Sequence, residues 1–163
     1  MDFQIRPAVQ SDVAYLAESL IAIARSVREQ TGSAYNGKLP HLVTPGEFQY
    51  ALGFLAQADS RFARIAEKDG NRIGCVLAEI IPSAVPSLNP DKTGSIAACW
   101  VEPDYRKQGV GRALAAQAET WFRAQGVRFA ELSYGADSET AGAAWAAQGY
   151  APFRIFAVKD LSL

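Results

Sequence analysis

The sequence is poor in residues that bind metals and cross-link chains. Its 163 residues include two cysteines, one histidine and one methionine. Cys75 and Cys99 each lie in an apolar, strand-like run. They read as buried free thiols rather than as a disulfide. Together with His41 they do not make a zinc site, and no metal is expected. Neither sign of charge is in excess: 16 Lys+Arg stand against 17 Asp+Glu, a net −1. That offers no global attraction to nucleic acid or to an anionic membrane. No apolar run approaches the roughly 20 residues needed to span a bilayer. Residues 1–4 lack a basic n-region and an apolar h-region, so no secretion signal is expected. No internal repeat or low-complexity tract is present. Both the Gly-x-Gly-x-x-Gly and the P-loop pattern of nucleotide-binding proteins are missing.

What remains is an ordinary globular composition, with 49% hydrophobic and 20% charged residues. Length and composition fit one domain over residues 1–163, expected to be cytoplasmic. Phe3 and Ile5 alternate with polar residues and predict a first strand. Ser11 is placed to cap a helix whose apolar face is Val13, Leu16, Leu20, Ile23, Ala24 and Val27. Residues 31–43 read as a loop. Thr44, Pro45 and Glu47 form a capping-box start for a second helix, with Phe48, Ala51, Leu52 and Leu55 as its stripe. Residues 61–68 and 72–81 predict a hairpin turning at Asp69-Gly70-Asn71. A proline-rich loop over 82–92 leads to a strand over 95–101. A helix then buries Val110, Leu114, Ala118, Trp121 and Phe122, carries a Glu119–Arg123 pair four residues apart and stops at Gly126. A strand over 128–134, a short helix over 138–148 ended by Gly149 and a last strand over 152–158 complete the chain. The order is β-α-α-β-β-β-α-β-α-β.

The most informative stretch joins the strand over 95–101 to the helix that follows it. It reads Val101-Glu102-Pro103-Asp104-Tyr105-Arg106-Lys107-Gln108-Gly109-Val110-Gly111-Arg112. A helix begins here at two glycines and three cations. Its first N–H groups are free, and the positive end of its dipole faces outward. Glycine lets those groups approach a ligand with no Cβ in the way. Such a corner binds phosphate.

Arg106-x-x-Gly109-x-Gly111, after Val101-x-Pro103-x-Tyr105 and before Ala113-Leu114, resembles the acyl-CoA signature of the GNAT superfamily of N-acyltransferases. The opening Ile5-Arg6-Pro7-Ala8, followed by Ser11-Asp12, is similar to the start of many chains in that family. The resemblance implies an α/β fold with a mixed, largely antiparallel sheet flanked by helices. In that fold the sheet splays apart beside the glycine loop, and the thioester lies in the gap. It implies acetyl-CoA as cofactor and acetyl transfer to a primary amine by direct attack in a ternary complex. Arg106, Lys107, Gln108, Gly109, Val110 and Gly111 would take the pyrophosphate, with Arg112 in the same basic patch. The backbone of Trp100 and Val101 would take the pantetheine arm, and the Val101 amide would face the thioester oxygen. Ser138 matches the position of a common cofactor-binding asparagine.

The chain departs from the family at both proton-transfer positions. The strand stretch that usually carries the general base is Ile96-Ala97-Ala98-Cys99-Trp100, which has no carboxylate. Glu79 on the preceding strand is the nearest alternative, in an apolar run that would raise its pKa if buried. The usual acid, a tyrosine four residues before a glycine, is Trp145 here, which cannot donate a titratable proton. Tyr134 and Tyr150 can donate one but read as structural. A thiol pKa of about 8.5 makes thiolate a tolerable leaving group without help. Water relaying the amine proton to Glu79 or Glu102 is a further route. On the acceptor side, Glu29, Tyr35 and His41 are the candidates, because loops at this position cover the acceptor site in the family. The acceptor itself, a small molecule or a peptide amine, is not named by the sequence. Homodimers are common in the resembling family. Two other readings compete: a non-catalytic acyl-CoA-binding or regulatory module, favoured by the two departures, and a nucleotide-binding α/β protein.

Overall fold

The structure is a computed structural model that describes residues 2–31, 43–56, 59–82, 92–159 and 161. Tyr35 and His41, with most of the loop that carries them, lie outside the described residues.

The elements follow the chain as β1 (Gln4–Pro7), α1 (Val13–Thr31), α2 (Pro45–Ala56), β2 (Arg61–Lys68), β3 (Asn71–Pro82), β4 (Lys92–Val101), α3 (Val110–Ala124), β5 (Ala130–Leu132) and α4 (Glu139–Ala146). The strands lie side by side in chain order, β1-β2-β3-β4-β5. The first four are antiparallel and β4–β5 is parallel. This is a mixed α/β architecture, as the sequence predicts.

Local signals account for most of the element boundaries. Asp69 (φ 51°) and Gly70 (φ 77°) both adopt the left-handed conformation, as a two-residue hairpin requires, and Lys68 pairs with Asn71 across them. At the start of α2, the Thr44 N–H donates to the Glu47 carboxylate at 3.0 Å, and the Thr44 hydroxyl also donates to it. Gly126 (φ 69°) and Gly149 (φ 89°) stop α3 and α4. Ser11 does not cap α1. A 3₁₀ turn over Gln10–Asp12 comes first, and the Asp12 carboxylate accepts the Val9 N–H at 2.8 Å.

The sheet carries one core on each face. Val13, Leu16 and Ala17 of α1, with Ala51 and Phe54 of α2, cover Ala63, Ile65, Cys75, Leu77 and Ala98. Val110, Leu114, Ala115, Ala118 and Phe122 of α3 cover Phe62, Val76, Ala78 and Ile96 on the other face. Each fully buried leucine makes dispersion contacts on all sides, and truncating one to alanine typically costs about 2–5 kcal/mol. Both cysteines are free; burial pushes each thiol up to about 12. Phe48, expected in the α2 stripe, is exposed, and Phe54 takes the buried position.

Two terminal expectations need correction. The strand expected over 128–134 is laddered only at Ala130–Leu132. The last strand, expected over 152–158, is not formed. Residues 151–159 run without a ladder, held to β5 by an ion pair from Arg154 Nη2 to Glu131 Oε2 at 3.0 Å. An extended segment becomes a strand only when a neighbour takes its N–H and C=O groups. A three-residue β5 offers few.

One buried charge ties the N-terminal half together. Asp12 is fully buried. Its Oδ2 accepts from Arg6 Nη1 at 2.6 Å, and its Oδ1 accepts from Arg72 Nε at 2.7 Å. Burial alone would raise the Asp12 carboxyl, but Arg6, the Val9 N–H and Arg72 outweigh it and hold the group well below the usual carboxylate range. A carboxylate depressed in this way stabilises the fold fully above its unfolded pKa of about 3.9. That contribution is lost as pH falls toward the folded value. Asp12→Asn should therefore cost about 3–5 kcal/mol at pH 7, since it leaves two guanidinium groups without their counter-charge. Urea unfolding at pH 7 and pH 3 checks this. The gap between variant and wild type should narrow at pH 3, and a constant gap would contradict the assignment.

Candidate functional site

The site begins where β4 outlives β5. The parallel ladder covers only Gly94–Ala130, Ser95–Glu131 and Ile96–Leu132. β4 runs five residues further, to Val101, paired on its other edge with β3. A register shift between Leu77 and Ala78 leaves Ala97 as an extra, bulged residue. Main-chain groups along an antiparallel strand point alternately to its two edges. Before the bulge, Gly94 sends its N–H to β5, bonding the Phe129 carbonyl at 2.9 Å. After it, the Glu102 N–H bonds the Ile73 carbonyl at 3.0 Å. Trp100 and Ala98, in step with Glu102, therefore face β3, whereas Cys99 and Val101 present their N–H and C=O to the open edge. Of the two backbones expected to hold a pantetheine arm, Val101 addresses the gap and Trp100 faces β3; Cys99 is the other residue whose main chain faces the gap.

The loop closes the wide end of this gap. A 3₁₀ turn over Pro103–Tyr105 follows β4, and then Lys107 (φ 60°) and Gly109 (φ 85°) adopt left-handed conformations. Gly109 is the N-cap of α3 and supplies no side-chain cap, so the first N–H groups of the helix are left for a ligand. A Cβ built on Gly109 would meet no atom within 4 Å. Its glycine is required by backbone conformation, and the space over it is open. A Cβ on Gly111 would meet only Val101 Cγ2, at 3.5 Å, an ordinary contact. Packing among the described residues does not demand a glycine there. Lys107 and Arg112 are exposed at this corner. Arg106 is folded back: its Nε donates to the Val101 carbonyl at 3.0 Å, and its guanidinium lies 4.8 Å from the centroid of the Trp100 ring. The Gln108 amide donates to the Asp104 carbonyl and ties the loop to itself.

Glu79 lies on the face of the sheet covered by α1 and α2, opposite Ser95 in register. Its carboxylate is half-buried and accepts from Arg61 Nε at 3.1 Å. The Arg61 guanidinium sits 4.9 Å from the Phe54 ring centroid. Glu79 is thus one ladder step from the Ala97 bulge. Val101 pairs with Gly74, five residues along β3, so the Glu79 backbone lies about 17 Å along the strand from the Val101 pair at roughly 3.4 Å per residue. The gap-facing amide nearer to Glu79 is Cys99.

The other expected residues are placed as follows. The Ser138 hydroxyl is buried and caps α4, accepting the Ala141 N–H at 3.3 Å. Trp145 packs edge-on against Tyr150, with ring centroids 5.4 Å apart. Tyr150 lies beside Glu119 and Arg123, toward the C-terminal half of α3 and away from the loop at its start; burial and then Glu119 push its hydroxyl pKa up. Glu29 is exposed near the end of α1.

Sequence reasoning missed the contacts of Glu102. Its Oε1 accepts from Tyr15 Oη at 3.0 Å and from Trp100 Nε1 at 3.1 Å. Burial, then Cys75 and Glu102, push the Tyr15 phenol up, so it stays a donor. This clamp fixes the end of β4 to α1 and orients the indole on which Arg106 lies. Only the fold brings Tyr15 and Glu102 together, across 87 positions.

Comparison with known proteins agrees with this geometry. The acetyltransferase (GNAT) family model matches residues 20–150. Among curated proteins, no sequence matches the chain. Among solved structures, a GCN5-related N-acetyltransferase from Ralstonia eutropha JMP134 is 25% identical, with a TM-score of 0.76 over 97% of this chain and 98% of that one. AAC(6')-Iy, in complex with the bisubstrate analogue CoA-S-monomethyl-acetylneamine, is 19% identical, with a TM-score of 0.72 over 98% and 99%. Glucosamine-6-phosphate N-acetyltransferase from Arabidopsis thaliana is 16% identical, with a TM-score of 0.68 over 99% and 100%.

The two loop glycines should respond differently to alanine. Gly109→Ala forces a side chain into a left-handed conformation and should cost about 1–2 kcal/mol. Gly111→Ala should leave the free protein unchanged or more stable by up to about 1 kcal/mol, because alanine favours helix. Urea unfolding of the free protein checks both. Equal losses at the two positions would contradict this backbone geometry.

Proposed function

The chain belongs to the GNAT acetyltransferase family, and we propose that it transfers an acetyl group from acetyl-CoA to a primary amine. The observation that carries this reading is the combination of an open β4 edge and an uncapped, glycine-led helix start at its end. The residues present fit the cofactor. Free N–H groups at the start of α3, with Gly109 and Gly111 beneath open space and Lys107 and Arg112 at the rim, suit a diphosphate. The gap-facing N–H and C=O of Val101 and Cys99 suit the amides of a pantetheine arm lying where a sixth strand would pair. Arg106 must release the Val101 carbonyl for that arm to use it, which also frees a cation for phosphate.

When bound, acetyl-CoA supplies the activated acetyl thioester. The protein's part is to hold two reactants together, which can supply several kcal/mol of barrier reduction. It also offers main-chain amides to the carbonyl oxygen. An arm running from the loop along β4 leads toward the bulge, so the Cys99 N–H is the oxyanion donor best placed relative to Glu79. Glu79 accepts the amine proton, directly or through water, and Arg61 keeps its carboxylate oriented. The acceptor is a small-molecule or peptide amine entering from the α1–α2 side, where Glu29 stands near the end of α1. No helix among the described residues is long and apolar enough to cross a membrane.

A non-catalytic CoA-binding role has one observation in its favour: β4 offers no carboxylate between Ile96 and Trp100. The two readings separate in one set of measurements. CoA at a hundredfold over its Kd should stabilise the protein by about 2.7 kcal/mol, a rise in Tm on the order of 5–10 °C for a domain of this size. Gly109→Glu should abolish the rise. Free-thiol release from acetyl-CoA with a panel of amines should then show turnover. Glu79→Gln should lower kcat/KM by about 10²-fold or more while keeping the full CoA-dependent shift. Binding with no turnover across a wide panel would favour the non-catalytic role, and the lack of any shift would remove both.

A further inference from the structure

Arg61 and Glu79 stand opposite each other where β2 pairs with β3, on the face of the sheet that α1 and α2 cover. The arginine is held on several sides. Its Nε donates to Glu79 Oε2 at 3.1 Å. Its guanidinium lies 4.9 Å from the centroid of the Phe54 ring and 6.0 Å from that of Tyr50. The two rings meet edge-on at 5.2 Å. Gly53 of α2 makes the room, because a Cβ there would come within 2.5 Å of Arg61 Nη1. The fork is fixed in place, yet among the described residues neither Nη1 nor Nη2 donates a hydrogen bond. The Arg61 and Glu79 side chains are 24% and 21% exposed, so a ligand can reach both.

Charge and shape say what this pair takes. Arg61 and Glu79 sum to zero, so the pair offers no net attraction to a polycation. An acceptor carrying only an ammonium would meet a guanidinium already seated on the carboxylate. A planar fork with free Nη groups matches a second carboxylate. Glu79 Oε1 also has no hydrogen-bond partner among the described residues and suits an amine. A carboxylate and an amine on one carbon are adjacent groups, as Arg61 and Glu79 are. Tyr50, 39% exposed, offers a ring beside them. Burial, then Glu79, pushes its phenol up, so the hydroxyl stays a donor. Ser95 of β4 lies opposite Glu79 in register, two residues before the bulge at Ala97.

We infer that the acceptor is an α-amino acid in its free-acid form, with its carboxylate on the Arg61 fork and its α-amine at Glu79. This inference rests on the acetyl transfer proposed above and names the class of acceptor. Bond formation from the amine nitrogen to the acetyl carbon breaks the thioester C–S bond. Glu79 takes the amine proton, and CoA leaves as the thiolate. Arg61 selects and orients the acceptor and carries no proton.

The test compares each standard L-amino acid with its carboxamide and its decarboxylated amine, by free-thiol release at saturating acetyl-CoA. Removing the carboxylate loses a charge-assisted contact. The best free acid should therefore exceed its own two analogues about ten- to a hundredfold in kcat/KM, mainly through KM. Arg61→Gln should bring that ratio close to one. Gly53→Ala, which keeps the charge but displaces the guanidinium, should lower it as well. A merely structural ion pair would slow all three acceptors alike and leave the ratio as it was. Both variants should keep the CoA-dependent rise in Tm, which shows that they fold. Calorimetry of the free acids with CoA-loaded protein reads acceptor binding without turnover. Faster acetylation of spermidine or an aminoglycoside than of any amino acid, or a ratio that survives Arg61→Gln, would overturn this inference and leave acetyl transfer standing. Free-acid binding that Arg61→Gln removes, with no turnover on any amine, would uphold the Arg61 site and remove acetyl transfer. Neither binding nor turnover would overturn both.

Discussion

The structure depends on one unequal pairing. β4 keeps β3 along its whole length but keeps β5 for only three residues. Beyond Ile96 a row of main-chain groups is left facing a gap. The bulge at Ala97 belongs to the same event, because it shifts by one residue which amides point outward. Backbone polar groups away from water need partners, and an extended ligand with amides of its own can supply them. The gap is therefore a built feature of the sheet, and the helices on either face hold its walls in place.

The second constraint is a helix that starts without a side-chain cap. α3 is strongly amphipathic, and Leu114, Ala118 and Phe122 anchor it to the sheet. That packing lets its first turn remain unsatisfied at little risk to the fold. Serine or aspartate at position 109 would cap the helix, but would occupy the space that is open over Gly109. Stability that is forgone at the N-terminus of α3 is recovered elsewhere, as at Asp12, where one carboxylate joins β1, the turn before α1 and β3.

Much of the fold was legible locally. The Asp69-Gly70 hairpin, the Thr44–Glu47 helix start, the α3 stripe and the stops at Gly126 and Gly149 rest on conformational preferences that act within a few residues. The loop from Arg106 to Gly111 was legible for the same reason, since a helix start carries its own free N–H groups. The final strand was not, because alternation says only that a segment can pair, while a ladder needs a neighbour that the local sequence does not specify. Tyr15 and Glu102, Arg61 and Glu79, and the separation of Glu79 from Val101 along the ladder likewise depend on strands and helices distant in the chain. The sequence by itself determined where the chain turns and where helices begin, one of them with its first N–H groups free. Only the tertiary structure decided which amides face the gap, which carboxylate stands near the bulge and which edges are left open, because register and pairing are settled between segments rather than within them.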